Sequence, residues 1–214
     1  MRVVRGKSVD DVDVDALAAA YARVHVDVGT GDGRYALHLG RHEPDTLVVA
    51  IDAITENLEE TARKAARPAK KGGTPNVLYV HASAEEPPAE LDGRADRVTV
   101  ILPWGRLMAG LLLPVAEVLD GLRRLGHPST GFRAVINAEV WGDPVPVEVR
   151  DLPELTPERA TAELAPRYAE HGIAITDARM LDDAGVRALR TTWAKRLASS
   201  RALPRFVEMT GRYL

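Results

Sequence analysis

Val26-Asp27-Val28-Gly29-Thr30-Gly31-Asp32-Gly33 follows an apolar, strand-like stretch from Val24 and opens a helix-like stretch at Arg34. Glycines at alternate positions let the backbone turn sharply and approach a ligand with no Cβ in the way. The run therefore asks for a strand, a tight loop and a helix in that order, the opening unit of a doubly wound α/β sheet. A second signal stands downstream. Thr46-Leu47-Val48-Val49-Ala50-Ile51 is a short apolar, β-rich run that ends in Asp52. An acid at the tip of the second strand is the usual acceptor for ribose hydroxyls. Together the two predict an adenosine-containing cofactor, against the bland alternative of a glycine-rich turn with no ligand.

The spacing favours one cofactor over another. Dinucleotide loops read Gly-x-Gly-x-x-Gly and set a helix N-terminus under a pyrophosphate. Here the pattern is Gly-x-Gly-x-Gly with Asp27 just before it, which suits S-adenosylmethionine, a cofactor with no phosphate to cradle. An NAD-dependent oxidoreductase would also want a hydride-chemistry pair such as Tyr-x-x-x-Lys. Tyr21, Tyr35, Tyr79, Tyr168 and Tyr213 lack one.

Strand-like and helix-like segments alternate along the chain, which predicts a parallel sheet with crossover helices. Arg2 to Lys7 reads as a strand-like opening, or a hairpin over about 1–12, and Asp13 as the cap of a helix through Tyr21. The core strands are expected at Val24–Val28, Thr46–Asp52, Val77–Val80, Val98–Leu102 and Phe132–Val140, with Ile173–Ile175 opening a sixth and Phe206–Thr210 closing the sheet. Between them, helices are expected at Tyr35–Arg41, over Ile54 to Ala66 before Pro68, over Leu107 to Leu125 with a break at Pro114, from the Thr156-Pro157 start through Tyr168, and from Asp182 onward. The 214 residues with 45% hydrophobic content suffice for one buried core, so the expectation is a single α/β domain over 1–214. Stretches 141–155 and 189–204 read as linkers available for substrate recognition.

Composition narrows the chemistry. Cysteine is absent, which excludes disulfides, thiolate metal sites and the covalent cysteine route to C5 of a pyrimidine. No metal site is expected. No apolar run is long enough to span a bilayer, and Arg2, Arg5 and Lys7 interrupt any signal-peptide pattern. A cytoplasmic, monomeric protein is expected. The net charge of −3 argues against indiscriminate coating of nucleic acid, but the charge is unevenly spread. Arg63, Lys64, Arg67, Lys70 and Lys71 form one basic block; Arg187, Arg190, Lys195, Arg196, Arg201 and Arg205 form another. They are either solvated helix faces or a surface for a phosphate-rich substrate.

The loop after the fourth core strand reads Leu102-Pro103-Trp104-Gly105. Methyl transfer to an exocyclic amine benefits from an Asp or Asn acceptor before a Pro-Pro-aromatic step, and Leu102 cannot supply one. A ring nitrogen of adenine carries its own lone pair at neutral pH, so positioning does most of the work. Trp104 offers a π face for an extruded base, and the carbonyls near Leu102 and Pro103 can orient it. Trp193, among Lys195, Arg196 and Arg201, is the candidate second face. Leu189, Trp193 and Leu197 also fall at i, i+4 and i+8, the spacing of an ordinary core face. Trp141, before a Pro-rich linker, reads as structural.

At these residues the chain resembles the kanamycin-apramycin resistance methyltransferases, which modify N1 of the adenosine at position 1408 of 16S rRNA. The resemblance runs through Arg2–Lys7, Asp27–Gly33, Val48–Ala53, Pro68–Gly73, Leu102–Gly105, Ala165–Glu170 and Thr192–Leu197 with Ser199-Ser200-Arg201. It implies a class I S-adenosylmethionine-dependent methyltransferase fold, a Rossmann-like seven-stranded sheet with a short N-terminal β extension. It implies a cofactor site at Asp27, Gly29, Gly31, Asp52, Ala53, Ala84 and Glu85, with Leu102 beside it and Trp104 and Trp193 enclosing the target adenine. It further implies rRNA contacts on the 30S subunit from Lys64, Arg67, Lys70, Lys71, Arg196, Arg201 and Arg205. One position departs: the family carries a small hydroxyl residue after Pro-Trp-Gly, and this chain has Arg106. A tRNA guanine-N7 methyltransferase and a noncatalytic module that binds the small subunit are the alternatives.

Overall fold

The computed structural model describes residues 1–138, 147–189 and 205–214. The chain opens in a hairpin, β1 (Arg2–Arg5) and β2 (Ser8–Asp11), paired antiparallel through a turn at Gly6 and Lys7. A single strand to Lys7 is thus shortened by two residues. Helix α1 (Val14–Ala18) begins where Asp13 accepts a hydrogen bond from the Ala16 amide, and it stops short of Tyr21, whose amide closes a tight turn on Ala18. Next come β3 (Arg23–Val28), α2 (Arg34–His42), β4 (Thr46–Asp52), α3 (Thr55–Ala65) and β5 (Val77–His81). Then β6 (Ala95–Ile101), α4 (Gly105–Leu112), α5 (Ala116–Arg124) and β7 (Gly126–Asn137) follow, with the break at Pro114 as expected.

Beyond α6 (Val147–Arg150), Thr156 accepts from the Arg159 amide and starts a helix over 157–170. That helix is α7 (Pro157–Arg159), a π turn (Ala160–Leu164) and α8 (Ala165–Glu170). Pro166 has no N–H to donate and its ring crowds the carbonyl four residues back, so the helix widens ahead of it. Strand β8 (Ile173–Met180), helix α9 (Asp183–Ala188) and strand β9 (Phe206–Tyr213) complete the described elements.

The sheet order is β5-β4-β3-β6-β7-β9-β8. Strands β3 to β7 pair parallel, and β9 pairs antiparallel with both β7 and β8. The last strand was expected to close the sheet. It inserts between β7 and β8 instead, leaving β8 at the edge. This is the seven-stranded arrangement of class I methyltransferases.

Strand alternation divides the core. Val24, Val26 and Val28 of β3 face a layer built from α4, α5 and the 157–170 helix, through Met108, Leu111, Leu119, Leu122 and Tyr168. Ala36, Leu37, Leu58 and Ala62 of α2 and α3 pack on the other face with Val48 and Tyr79. Both flanks of the sheet are covered, so its usable surface is the rim of loops at the carboxyl ends of the parallel strands.

Candidate active site

Four of those loops converge. After β3, the amides of Gly29 and Thr30 both donate to the Ile51 carbonyl at 2.8 and 3.0 Å, which folds the glycine loop over the end of β4. Gly31 has a φ of +58, and a Cβ built there meets nothing within 4 Å, because the residue borders open space. Its amide donates to Asp52 Oδ2 at 2.7 Å, while the Ile54 amide donates to Oδ1 at 2.9 Å. Two backbone amides thus aim the Asp52 carboxylate, the Asn57 side chain adds a third hydrogen bond, and of its roughly four acceptor sites one is left for a further donor. Burial pushes Asp52 above the usual aspartate value, opposed by these amides.

Asp27 lies beneath the loop. It is 1% exposed, and its two oxygens accept from Thr30 and Thr99 hydroxyls, each at 2.6 Å. Thr99 Oγ1 is also 3.0 Å from His25 Nε2. Burial drives this pair toward neutrality: Asp27 is pushed up to about 6 and His25 down to about 3, the latter also by Arg97 and Arg133. Asp27 ties the loop to β6 and is not among the residues that line the space above.

That space is a cleft of about 940 Å³, the size of a nucleoside-bearing cofactor. Gly29, Gly31, Asp52, Ala53, Ala84, Glu85, Leu102 and Trp104 all line it, brought together from four separate loops as the sequence predicts. Pro103 is buried behind the wall. The sequence reading missed Thr30, Ile54, Asn57, Ser83 and Leu107, which also line it. The sequence pattern puts Ile54 on the apolar face of the helix with Leu58 and Ala62; it instead precedes the helix as its N-cap and is exposed toward the cleft.

The lining tests the cofactor class. Among the described residues, Asp32, Asp52, Glu85 and Glu86 face the cleft against one cation, Arg106. A net negative wall repels a pyrophosphate and attracts a sulfonium. The residues present therefore fit S-adenosylmethionine and disfavour a dinucleotide.

The β6–α4 turn carries the reacting end. Leu102 adopts φ +54, a left-handed conformation that costs a leucine on the order of 1–3 kcal/mol. Its amide is fixed to the Val135 carbonyl at 2.8 Å, and Gly105 at φ +57 starts α4. The strained turn leaves the Trp104 indole 40% exposed at the cleft mouth. Arg106, 81% exposed, reaches back to Glu85 Oε1 at 3.9 Å. Arg106 thus reaches across the mouth toward the loop after β5.

The basic residues divide. Lys64 pairs with Glu60 on α3, and Arg67, Lys70 and Lys71 are exposed on the segment after it. Arg205 pairs with Glu154 at 2.6 Å. Trp193, Lys195, Arg196 and Arg201, and Trp141, lie outside the described residues, as do the end of the predicted Phe132–Val140 strand and residues 141–146 and 190–204 of the two linkers; the rest of the first linker is packed, with helix α6 and buried Val149 and Leu155. Among the described residues, no group of His, Asp and Glu is arranged to hold a metal, and no helix is long and apolar enough to cross a membrane.

Comparison with known proteins agrees with this geometry. Residues 2–211 match the family model NpmA, described as 16S rRNA (adenine(1408)-N(1))-methyltransferase. A protein of that name from Streptoalloteichus hindustanus is 41% identical over 215 residues, 99% of each chain. The Escherichia coli protein of the same name is 32% identical, covering 94% of both. Among solved structures, a tryptophan mutant of the Catenulisporales acidiphilia enzyme with cosubstrate SAM superposes with a TM-score of 0.91 at 38% identity, over 100% of this chain and 97% of that one. The 16S rRNA methyltransferase KamB superposes equally well, with a TM-score of 0.91 at 40% identity over 100% and 99%. A seven-stranded sheet of this order, an acid-lined cleft of this size and full-length identity at this level have one reading: the chain belongs to the 16S rRNA (adenine(1408)-N(1))-methyltransferase family.

Proposed function

We propose that this enzyme methylates N1 of adenosine 1408 within the assembled 30S subunit, acting as a cytoplasmic monomer, and that the modification protects ribosomes from kanamycin and apramycin. S-adenosylmethionine supplies an electrophilic methyl group on a sulfonium. The observation that carries the reading is the β6–α4 turn, which sets an exposed indole beside an acid-lined cleft with no carboxylate or amide side chain of its own.

In this reading Asp52 accepts the ribose hydroxyls, Ala53 and Ile54 flank the adenine, and Ala84 and Glu85 complete its pocket. Gly29 and Gly31 let the cofactor lie against the backbone. Trp104 stacks on the extruded target base from one side and Trp193 from the other, while the backbone carbonyls at Leu102 and Pro103 fix its edge, the Pro103 ring itself lying behind the wall. The N1 lone pair forms the new N–C bond as the bond to sulfur breaks, so positive charge passes to the base and no proton moves. No general base is required, which agrees with an apolar Leu102 at the turn. Lys64, Arg67, Lys70 and Lys71, with Arg196, Arg201 and Arg205, dock phosphates, and stretches 141–155 and 189–204 recognise the folded rRNA surface.

The test is primer extension on 16S rRNA from 30S subunits treated with enzyme and S-adenosylmethionine. An N1-methyl group blocks pairing, so reverse transcription should stop next to adenosine 1408. Methyl incorporation into tRNA with readthrough at that site transfers the assignment to a tRNA methyltransferase. Subunit binding with no methyl transfer leaves a noncatalytic module.

A further inference from the structure

Helix α2 was expected only as the helix that follows the glycine loop, yet its outer stripe is basic. Arg34, His38 and Arg41 recur at i, i+4 and i+7 and so share one face. Arg34 and Arg41 are exposed, while Tyr35, Ala36 and Gly40 are buried on the sides that seat the helix on the sheet and Leu37 lines the groove beside the stripe. Across a groove of about 460 Å³ stands Lys64 of α3; Thr61 and His42 complete its polar lining, and no carboxylate lines it. Asp32, 3.4 Å from Arg34, and Glu60, paired with Lys64, lie at the rim and direct these two cations. Arg41 has no carboxylate at ion-pair distance among the described residues.

Position gives the stripe its meaning. On one flank α2 meets α3 at Lys64, whose chain runs straight on to Arg67, Lys70 and Lys71. On the other flank Tyr35 and Leu39 pack with Leu189, Val186 and Leu181 around α9, and Arg190 follows Leu189 directly in the sequence. The exposed cations after α3 thus begin on one flank of α2, and α9 with its exposed Arg187 stands on the other. A backbone that runs from Lys70 and Lys71 toward α9 follows the outer face of α2.

We propose that Arg34, His38 and Arg41 of α2, with Lys64 across the groove, form a phosphate track that carries the rRNA backbone from Lys70 and Lys71 toward Arg187 of α9. The inference rests on the rRNA-docking reading above. The contacts are to phosphate oxygens and so independent of base sequence, with arginine's fork of donors suited to them. They add affinity and register and take no part in methyl transfer itself.

Binding of wild type, Arg34→Ala/Arg41→Ala and Lys70→Ala/Lys71→Ala to purified 30S subunits, measured across a potassium chloride series, tests it. Calorimetry with S-adenosylmethionine on each protein reports whether the cleft is intact. The double α2 variant should keep cofactor affinity, bind subunits about tenfold more weakly, and lose roughly one to two from the slope of log K against log salt. Because Arg34 adjoins the glycine loop through Asp32, Arg41→Glu serves as the second variant, and it should weaken subunit binding at least as much as a single alanine change. Wild-type affinity and slope in both α2 variants, with both lost in Lys70→Ala/Lys71→Ala, overturns the track and leaves the docking reading intact. Salt-insensitive binding by wild type overturns the docking reading and the track together.

Discussion

Asp27 and His25 project from the same face of β3, and burial acts on them with opposite signs. Asp27 is raised from 3.8 to about 6, so the stability tied to its protonated form is complete below about pH 4 and is lost as pH rises through 6. His25 is lowered from 6.5 to about 3, so its contribution is present above pH 6.5 and lost as pH falls toward 3. Asp27→Asn removes the first effect and leaves the second. The variant should gain on the order of 2 kcal/mol relative to wild type on going from pH 4.5 to pH 7.5, read by urea denaturation at both. An unchanged difference between the two proteins across that interval would show that Asp27 is not held in the protonated range.

Asp52 has a different task, because its oxygens face the cleft while two amides hold them. Asp52→Ala should weaken S-adenosylmethionine binding by about 1–3 kcal/mol in calorimetry, and Asp52→Asn by less, since one acceptor survives. Equal affinity in wild type and Asp52→Ala would remove the ribose role. Trp104, being exposed, is separable from folding. Trp104→Ala should leave the Tm and cofactor affinity in place and cost about 1–3 kcal/mol in methyl transfer, the worth of one stacked base. A large fall in Tm would make it a packing residue instead.

Among the elements, the strand-loop-helix unit around Gly33 is the most constrained. Gly33 has φ +70, and a Cβ there would lie 2.3 Å from Tyr79 Cε1, whose hydroxyl donates to the Gly33 carbonyl at 2.9 Å. Gly33→Ala must strain the backbone and displace a fully buried ring. The expected cost is about 2–4 kcal/mol, seen as a Tm lower by roughly 5–15 °C. A Tm within two or so degrees of wild type would mean that Tyr79 yields freely. Elements of this kind were legible because their signals are local. Asp13, Thr156 and Asp182 each cap the helix they were read to start, accepting from an amide three residues on. The glycine loop and the break at Pro114 are equally local. The place of β9 between β7 and β8 was not legible, because nothing in Phe206–Thr210 encodes which strands it will join. The left-handed Leu102 was hidden too, since leucine gives no sign of a conformation that only the surrounding turn enforces.

At the scale of the molecule, the cleft was readable for a topological reason. In a parallel sheet, loops after successive strands must meet at one rim, so naming the loops after β3, β4, β5 and β6 already collected Gly31, Asp52, Glu85 and Trp104 in one place. No such rule orients surface charge. Lys70 and Lys71 in a sequence are only a basic run, and the exposed stripe of α2 is diluted by the apolar residues between its members. The same distribution makes a statement about substrate form. Arg67, Lys70 and Lys71 after α3 and Arg187 on α9 come from distant parts of the chain and stand on one α/β frame, so in the proposed docking they match phosphates held at fixed separations. Folded rRNA supplies that spacing, whereas a loose strand must pay ordering entropy to reach both. Methyl incorporation from labelled S-adenosylmethionine should therefore be far greater into intact 30S subunits than into protein-free 16S rRNA at equal concentration. Lys70→Ala/Lys71→Ala should narrow that gap, lowering transfer to the subunit while leaving the low transfer to naked RNA nearly unchanged. Equal rates on both substrates for wild type would mean that the target base and its near neighbours suffice for recognition, and the basic blocks would then be solvated faces.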